Sequence, residues 1–251
     1  MFKVIKVKSQ DELNKEAFKV MRAEVKPGAV LGLATGSSPV GLYKEMIKDH
    51  KENGTSYADV TTFNLDEYVG LPRDHRESYW TFMHVNLFNH IDIKDENVHV
   101  PSGLGDVEAN CKSYDEAALA AHVDIQLLGI GSDGHIGFSE PGTPFDEGTH
   151  IATLAESTRV DNYRFFKDLN EEVPTHAITM GPKTIMAAKK ILMVANGKNK
   201  AAAIKGMLEG PITTDCPASI LQKHPDVTVI IDEDAAGIND RFSSERNGYV
   251  V

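Results

Sequence analysis

The sequence predicts an α/β fold with a single open, mostly parallel sheet and helices on both faces. Short β-branched runs alternate with longer stretches of helical period along the whole chain, as in successive βα units. Residues 29–34 (AVLGLA) are almost continuously apolar and residues 123–130 (VDIQLLGI) nearly so; strands buried on both faces read this way. No linker divides the chain. Residues 1–236 are therefore expected to form one unit, with 237–251 as a polar, peripheral C-terminal tail.

The elements follow in order. Residues 4–7 read as the first strand. Ser9 then offers an N-cap, with Glu12 three residues on as a capping box. Leu13, Ala17, Val20 and Met21 recur at helical spacing, so a helix is predicted over 10–25. The strand at 29–34 runs into Thr35-Gly36-Ser37-Ser38 and then Pro39, a residue suited to a first helical turn. Further strands are predicted at 60–65, 123–130, 177–180, 191–195 and 227–231, and helices at 78–90 and 198–208.

Composition narrows the function classes. The chain has 251 residues, 41% hydrophobic and 25% charged, with a net charge of −11. That composition excludes disorder as the dominant state. It offers no basic stripe for nucleic acid and no polybasic membrane contact. Two cysteines, Cys111 and Cys216, make neither a disulfide framework nor a zinc pattern. With no signal-like N-terminus and no uncharged run long enough to span a bilayer, a cytoplasmic protein is expected.

In open α/β sheets ligands bind beyond the carboxyl ends of strands, so four segments carry the chemistry. The turn at 35–38 is either a phosphate cradle of backbone amides and hydroxyls or simply a capped strand-to-helix turn. Asp66 and Glu67 follow the strand at 60–65. In extended backbone they point opposite ways, so only one of them faces a given cleft. Residues 127–142 (LLGIGSDGHIGFSEPG) contain GxGxxG, but Gly137, Pro141 and Gly142 follow where a dinucleotide fingerprint must open a helix, so no nicotinamide site is expected. What this segment offers is Asp133, His135 and Glu140, a histidine flanked by two acids and suited to proton transfer. Arg164 and Lys200 are either surface cations or anion ligands; Lys200, near a helix start, opposes the helix dipole unless an anion is bound. No histidine spacing predicts a metal.

These motifs resemble the glucosamine-6-phosphate deaminase (glucosamine-6-phosphate isomerase) family. The matching strings run in order from LGLATGSSP through TFNLDEYVGLP, ESYWTFM, LLGIGSDGHIGFSEPGTPF, STRVDNYRFF and AITMGPKTIMAAKKI to GKNKAAA and PASILQKHPDV. The resemblance covers residues 31 to about 232. It implies a modified Rossmann-like fold shared with phosphogluconolactonases and ribose-5-phosphate isomerase. It implies conversion of glucosamine 6-phosphate and water to fructose 6-phosphate and ammonia, with no cofactor. By resemblance Asp66 moves the proton between C2 and C1. His135 opens the pyranose ring, partnered by Asp133 and Glu140. Thr35, Gly36, Ser37, Ser38, Arg164 and Lys200 bind the phosphate, and residues 154–173 correspond to a lid.

The sequence departs from the family pattern in three places. Ser37 and Ser38 stand where a second glycine and a threonine are common, and Ser139 replaces the usual asparagine. His150 and Ala152 stand where regulated members carry basic residues, which implies an unregulated enzyme, a monomer or a low-order homo-oligomer. A lactone hydrolase and a non-catalytic sugar-phosphate sensor are the competing readings. DEYVGL speaks against the first. The second is weakened because all four catalytic candidates are present and no recognition helix is visible.

Overall fold

The computed structural model describes residues 1–237 and 249–250. Seven strands form the parallel part of the main sheet: β1 (Phe2–Val7), β2 (Val30–Leu33), β3 (Thr61–Asn64), β5 (Val98–His99), β6 (Ile125–Leu128), β9 (Lys190–Ala195) and β10 (Val227–Asp232). With β11 (Tyr249–Val250) the order is β11-β1-β10-β9-β6-β2-β3-β5. Only β11 is antiparallel, pairing Lys3 with Val250 and Val4 with Tyr249. The fold class is the one the sequence predicts. Of the stretch expected to form the tail, Gly237 ends the last helix and residues 249–250 lie along β1; 238–248 and 251 lie outside the described residues.

From β2 the chain moves outward to β3 and β5, then returns to β6 on the other side of β2 and proceeds to β9 and β10. The reversal lies between β2 and β6. Connections leave in opposite directions there, and a crevice opens at the carboxyl ends of the strands. The segments at 35–38 and 129–140 leave from these two strands.

A second sheet covers part of this crevice. β4 (Asp66–Tyr68), β8 (His176–Thr179) and β7 (His150–Thr153) form an antiparallel sheet in the order β4-β8-β7, with Asp66 opposite Thr179. The run at 177–180 is a strand, as predicted, but it belongs here. Its apolar period marks burial and carries no information on which sheet it joins.

Local chemistry explains the helices. In α1 (Gln10–Arg22) the Ser9 hydroxyl accepts from Glu12 N at 3.2 Å, while the Glu12 carboxylate accepts from Lys8 N at 2.7 Å. The reciprocal cap thus reaches one residue earlier than a capping box. α1 stops at Arg22, whose guanidinium donates to Val25 O and to Asp49. The remaining helices are α2 (Val40–Asn53), α3 (Tyr79–Asn86), α4 (Val107–Ala121), α5 (Glu156–Phe166), α6 (Pro182–Met186), α7 (Ala201–Glu209) and α8 (Glu233–Ala236). The main sheet and its helices share one core. A smaller cluster of Tyr68, Phe138, Ala152, Leu154, Phe166, Val173 and Ala177 lies around the second sheet and α5.

Candidate active site

A cleft of about 360 Å³ lies above the β2/β6 crevice. Nine of the ten residues singled out from the sequence line it: Thr35, Gly36, Ser37, Ser38, Asp66, Asp133, His135, Arg164 and Lys200. They come from β2, β4, the loop after β6, α5 and the start of α7. Glu140 lines a neighbouring cavity together with His150 and Ala152, and reaches the site from behind His135.

Part of the cleft lining suits an anion. After β2 the chain turns at Gly36, whose φ of +94° strongly favours glycine, and α2 begins within four residues. The Tyr43 hydroxyl, buried on α2, bonds both N–H and C=O of Ala34 and fixes the point where the turn departs. Thr35, Gly36, Ser37 and Ser38, just ahead of α2, line the cleft together with two cations, Arg164 and Lys200. Lys200 is the N-cap of α7. Burial pushes its pKa down, opposed by the carboxylates of Asp133 and Asp161. A half-buried cation at a helix start lowers its energy by taking up an anion.

Two further groups of the same cleft, His135 and Asp66, are suited to proton transfer. His135 Nδ1 donates to Asp133 Oδ1 at 2.7 Å, and its backbone N–H donates to the same oxygen at 3.1 Å. Glu140 Oε2 lies 3.6 Å from Nδ1. Commitment of Nδ1 to the carboxylates leaves Nε2 as the free acceptor. Burial opposes ionisation of Asp133, yet hydrogen bonds and the charge of His135 hold its pKa below the usual range. Burial and the adjacent Asp133 push Glu140 up to about 7. Gly131 makes room for the imidazole: a Cβ there would lie 2.1 Å from His135 Cε1.

Asp66 is the second centre. It is only 7% exposed, and burial, reinforced by the neighbouring Glu67 charge, pushes it up to about 8. Asp66 and Glu67 face opposite ways, as extended backbone requires. Asp66 faces the cleft. Glu67 turns inward and accepts from backbone N–H groups of α3.

Tyr79, Thr158, Asp161 and Asn162, none of them expected from the sequence, also line the cleft. Thr158, Asp161 and Arg164 recur at helical spacing on α5, which was the available signal, but their polar face reads as a solvated surface. Asp133, His135 and Glu140 also present one ligand atom each within 4.8 Å of one another. The contacts they make are those of a hydrogen-bonded acid–base set.

A family model for glucosamine-6-phosphate isomerases/6-phosphogluconolactonase matches residues 8–230. The chain belongs to this family. Within the glucosamine-6-phosphate isomerase/6-phosphogluconolactonase family it is 50% identical over 240 residues to a glucosamine-6-phosphate deaminase of Thermoanaerobacter pseudethanolicus, covering 94% of each chain. It is 53% identical over 232 residues to one of Lysinibacillus sphaericus, covering 91% of this chain and 98% of the relative. A solved monomeric glucosamine-6-phosphate deaminase superposes with a TM-score of 0.90 at 44% identity, over 94% of this chain and 99% of that one. A 6-phosphogluconolactonase from Leishmania guyanensis shares the fold, with a TM-score of 0.74 at 21% identity over 94% of this chain and 98% of that one.

If Asp66 acts as a base, its ionisation governs the free enzyme. The carboxylate form becomes scarce below its raised pKa of about 8. With substrate ionisation corrected for, kcat/KM should therefore fall about tenfold per unit below pH 7. A flat profile between about pH 6 and 8 contradicts this assignment.

Proposed function

We propose that this chain is a glucosamine-6-phosphate deaminase that converts glucosamine 6-phosphate and water to fructose 6-phosphate and ammonia. The observation that carries this reading is the pair of separate acid–base centres, His135 and Asp66, in one cleft with an anion subsite. In this proposal residues 1–236 act as one unit in the cytoplasm, as a monomer or low-order homo-oligomer, with no metal or cofactor. The structure contains no helix, among the described residues, long and apolar enough to cross a membrane.

The chemistry maps onto the geometry. The 6-phosphate is held by 35–38, Arg164 and Lys200, and this remote binding energy orients the sugar. His135 Nε2 takes the proton of the anomeric hydroxyl and returns it to the ring oxygen, opening the ring. Asp133 and Glu140 stabilise the imidazolium formed in between. Asp66 then takes the C2 proton, acidified by the C1 aldehyde and the ammonium group, and the ammonium passes one proton to O1 to give an enolamine. The same carboxyl delivers the proton to C1. The resulting C2 iminium adds water and expels ammonia. A group that must both accept and donate a proton works best with a pKa near the working pH, and Asp66 is pushed in that direction.

The test is direct: ammonia and fructose 6-phosphate are measured from glucosamine 6-phosphate, with 6-phosphogluconolactone assayed in parallel. Folded protein that turns over only the lactone overturns the proposal. His150 and Ala152, at the cavity beside Glu140, support an unregulated enzyme; a sigmoidal rate curve sharpened by N-acetylglucosamine 6-phosphate counts against that. Lys200→Ala removes a charge-assisted phosphate contact worth roughly 1.5–3 kcal/mol. Its kcat/KM should fall about 10–100-fold, mainly through KM, and competitive inhibition by inorganic phosphate should weaken in parallel. Unchanged phosphate inhibition would remove Lys200 from the subsite.

A further inference from the structure

We infer that Glu67 is a positioning residue for this reaction: its buried carboxylate ties the strand that carries Asp66 to the first turn of α3, and so sets where Asp66 presents its carboxylate and beside which charge it works. This rests on the proposed deaminase activity and assigns a role to the partner of Asp66 that turns away from the cleft.

The hydrogen bonds carry the argument. Glu67 is 3% exposed. Its Oε1 accepts from the backbone N–H of Tyr68 and Tyr79, both at 2.9 Å. Its Oε2 accepts from Tyr79 N at 3.0 Å and Trp80 N at 3.1 Å. One carboxylate thus holds β4 and α3 together at the residue next to Asp66. Tyr79, fixed at the same turn, forms part of the cleft wall. Its hydroxyl bonds that of Tyr68, which also accepts from Asn162 on α5 at 2.9 Å.

A helix cap alone does not require this. α3 already has one: Ser78 Oγ accepts from Thr81 N at 3.1 Å. Burying a carboxylate is costly unless its charge is used or fully bonded, and a hydroxyl caps at far lower cost. The second acid instead lies directly beside Asp66, where its charge opposes ionisation of Asp66.

The other charges in the neighbourhood are identifiable. Around Asp66 stand Glu67 and Tyr68 on its own strand, Tyr79 on α3, Tyr114 on α4 and, in the same cleft, His135. The charge of Arg73, in the loop before α3, acts on Glu67, and its guanidinium lies over the Trp80 ring. None of the three tyrosines is ionised near neutral pH, because burial pushes each one upward. Burial pushes Glu67 up to about 7 against its bonds to three backbone N–H groups, so above that pH it is an anion whose removal Asp66 should register.

Glu67→Gln keeps the shape and one acceptor oxygen and removes the charge. We expect kcat to fall about tenfold or more, KM and inhibition by inorganic phosphate to stay within about threefold, and the acid limb of kcat/KM to move down by about one pH unit. Reduced activity with the wild-type pH profile indicates a merely structural role and overturns the inference, as does unchanged kcat. If the variant does not fold, the wild type decides. The backbone ¹⁵N resonances of Tyr79 and Trp80 bond Glu67 directly and should titrate with the midpoint of kcat/KM; no titration between about pH 5.5 and 9 overturns the inference. Absence of wild-type turnover overturns both readings, whereas turnover with an unaltered Glu67→Gln profile overturns the role of Glu67 alone.

Discussion

Asp66→Asn is expected to abolish turnover and, at alkaline pH, to stabilise the protein. The amide cannot take the C2 proton, so kcat should fall at least about 10³-fold, while inorganic phosphate still competes because 35–38, Arg164 and Lys200 are untouched. The stability change follows from the raised pKa. Asp66 titrates near 3.8 when unfolded and at about 8 when folded. Between these values the native state binds more protons, so stability falls as pH rises and the full penalty is present above the folded pKa. Asparagine avoids that penalty. At about pH 9 the variant should unfold roughly 5 °C higher than the wild type, and the gain should shrink as pH falls toward 4. Retained activity removes Asp66 as the base. An identical stability difference at every pH removes its raised pKa.

His135→Gln should show a second, separable defect. Ring opening loses its proton carrier, and kcat should fall about 10²–10⁴-fold. Asp66 and the phosphate subsite are intact, so KM should change by less than about threefold. Hydrogen–deuterium exchange at substrate C2 distinguishes the two variants. In His135→Gln, exchange should persist on the fraction of substrate that opens spontaneously; in Asp66→Asn it should vanish. Equal loss of C2 exchange in both would mean that His135 and Asp66 do not serve separate steps.

Much of this site is legible in the chain. Asp133, His135 and Glu140 lie within eight residues, and a histidine so close to two acids in a glycine-rich loop carries its chemistry locally. The apolar runs that became β2, β6, β9 and β10 were visible because strands buried on both faces are predominantly apolar. α4 was not, because it buries only Cys111 and Ala118 and shows no wide apolar stripe. β5 is two residues long, and β7 has only one buried position, Ala152. Neither presents a period to read. The extended run after β3 implied that Asp66 and Glu67 diverge, but which of them faces the ligand depends on what packs behind β4. That is the first turn of α3, twelve residues away.

The net charge of −11 illustrates the same division. It excludes a broad polyanion surface from the sequence alone, because such a surface needs a summed excess of cations. It does not bear on one phosphate monoester, which needs only a few donors in one place. Local patterns also determined the parallel α/β class, the turn at Gly36 and the histidine–carboxylate set, since each depends on neighbours within a few residues. The tertiary structure decided the rest. Arg164 and Lys200 come from separate helices and meet the turn after β2 in one cleft. Asp66 acquires its raised pKa only when the second sheet and α3 remove it from water. Convergence and desolvation are properties of packing, and no window of sequence contains the groups that produce them.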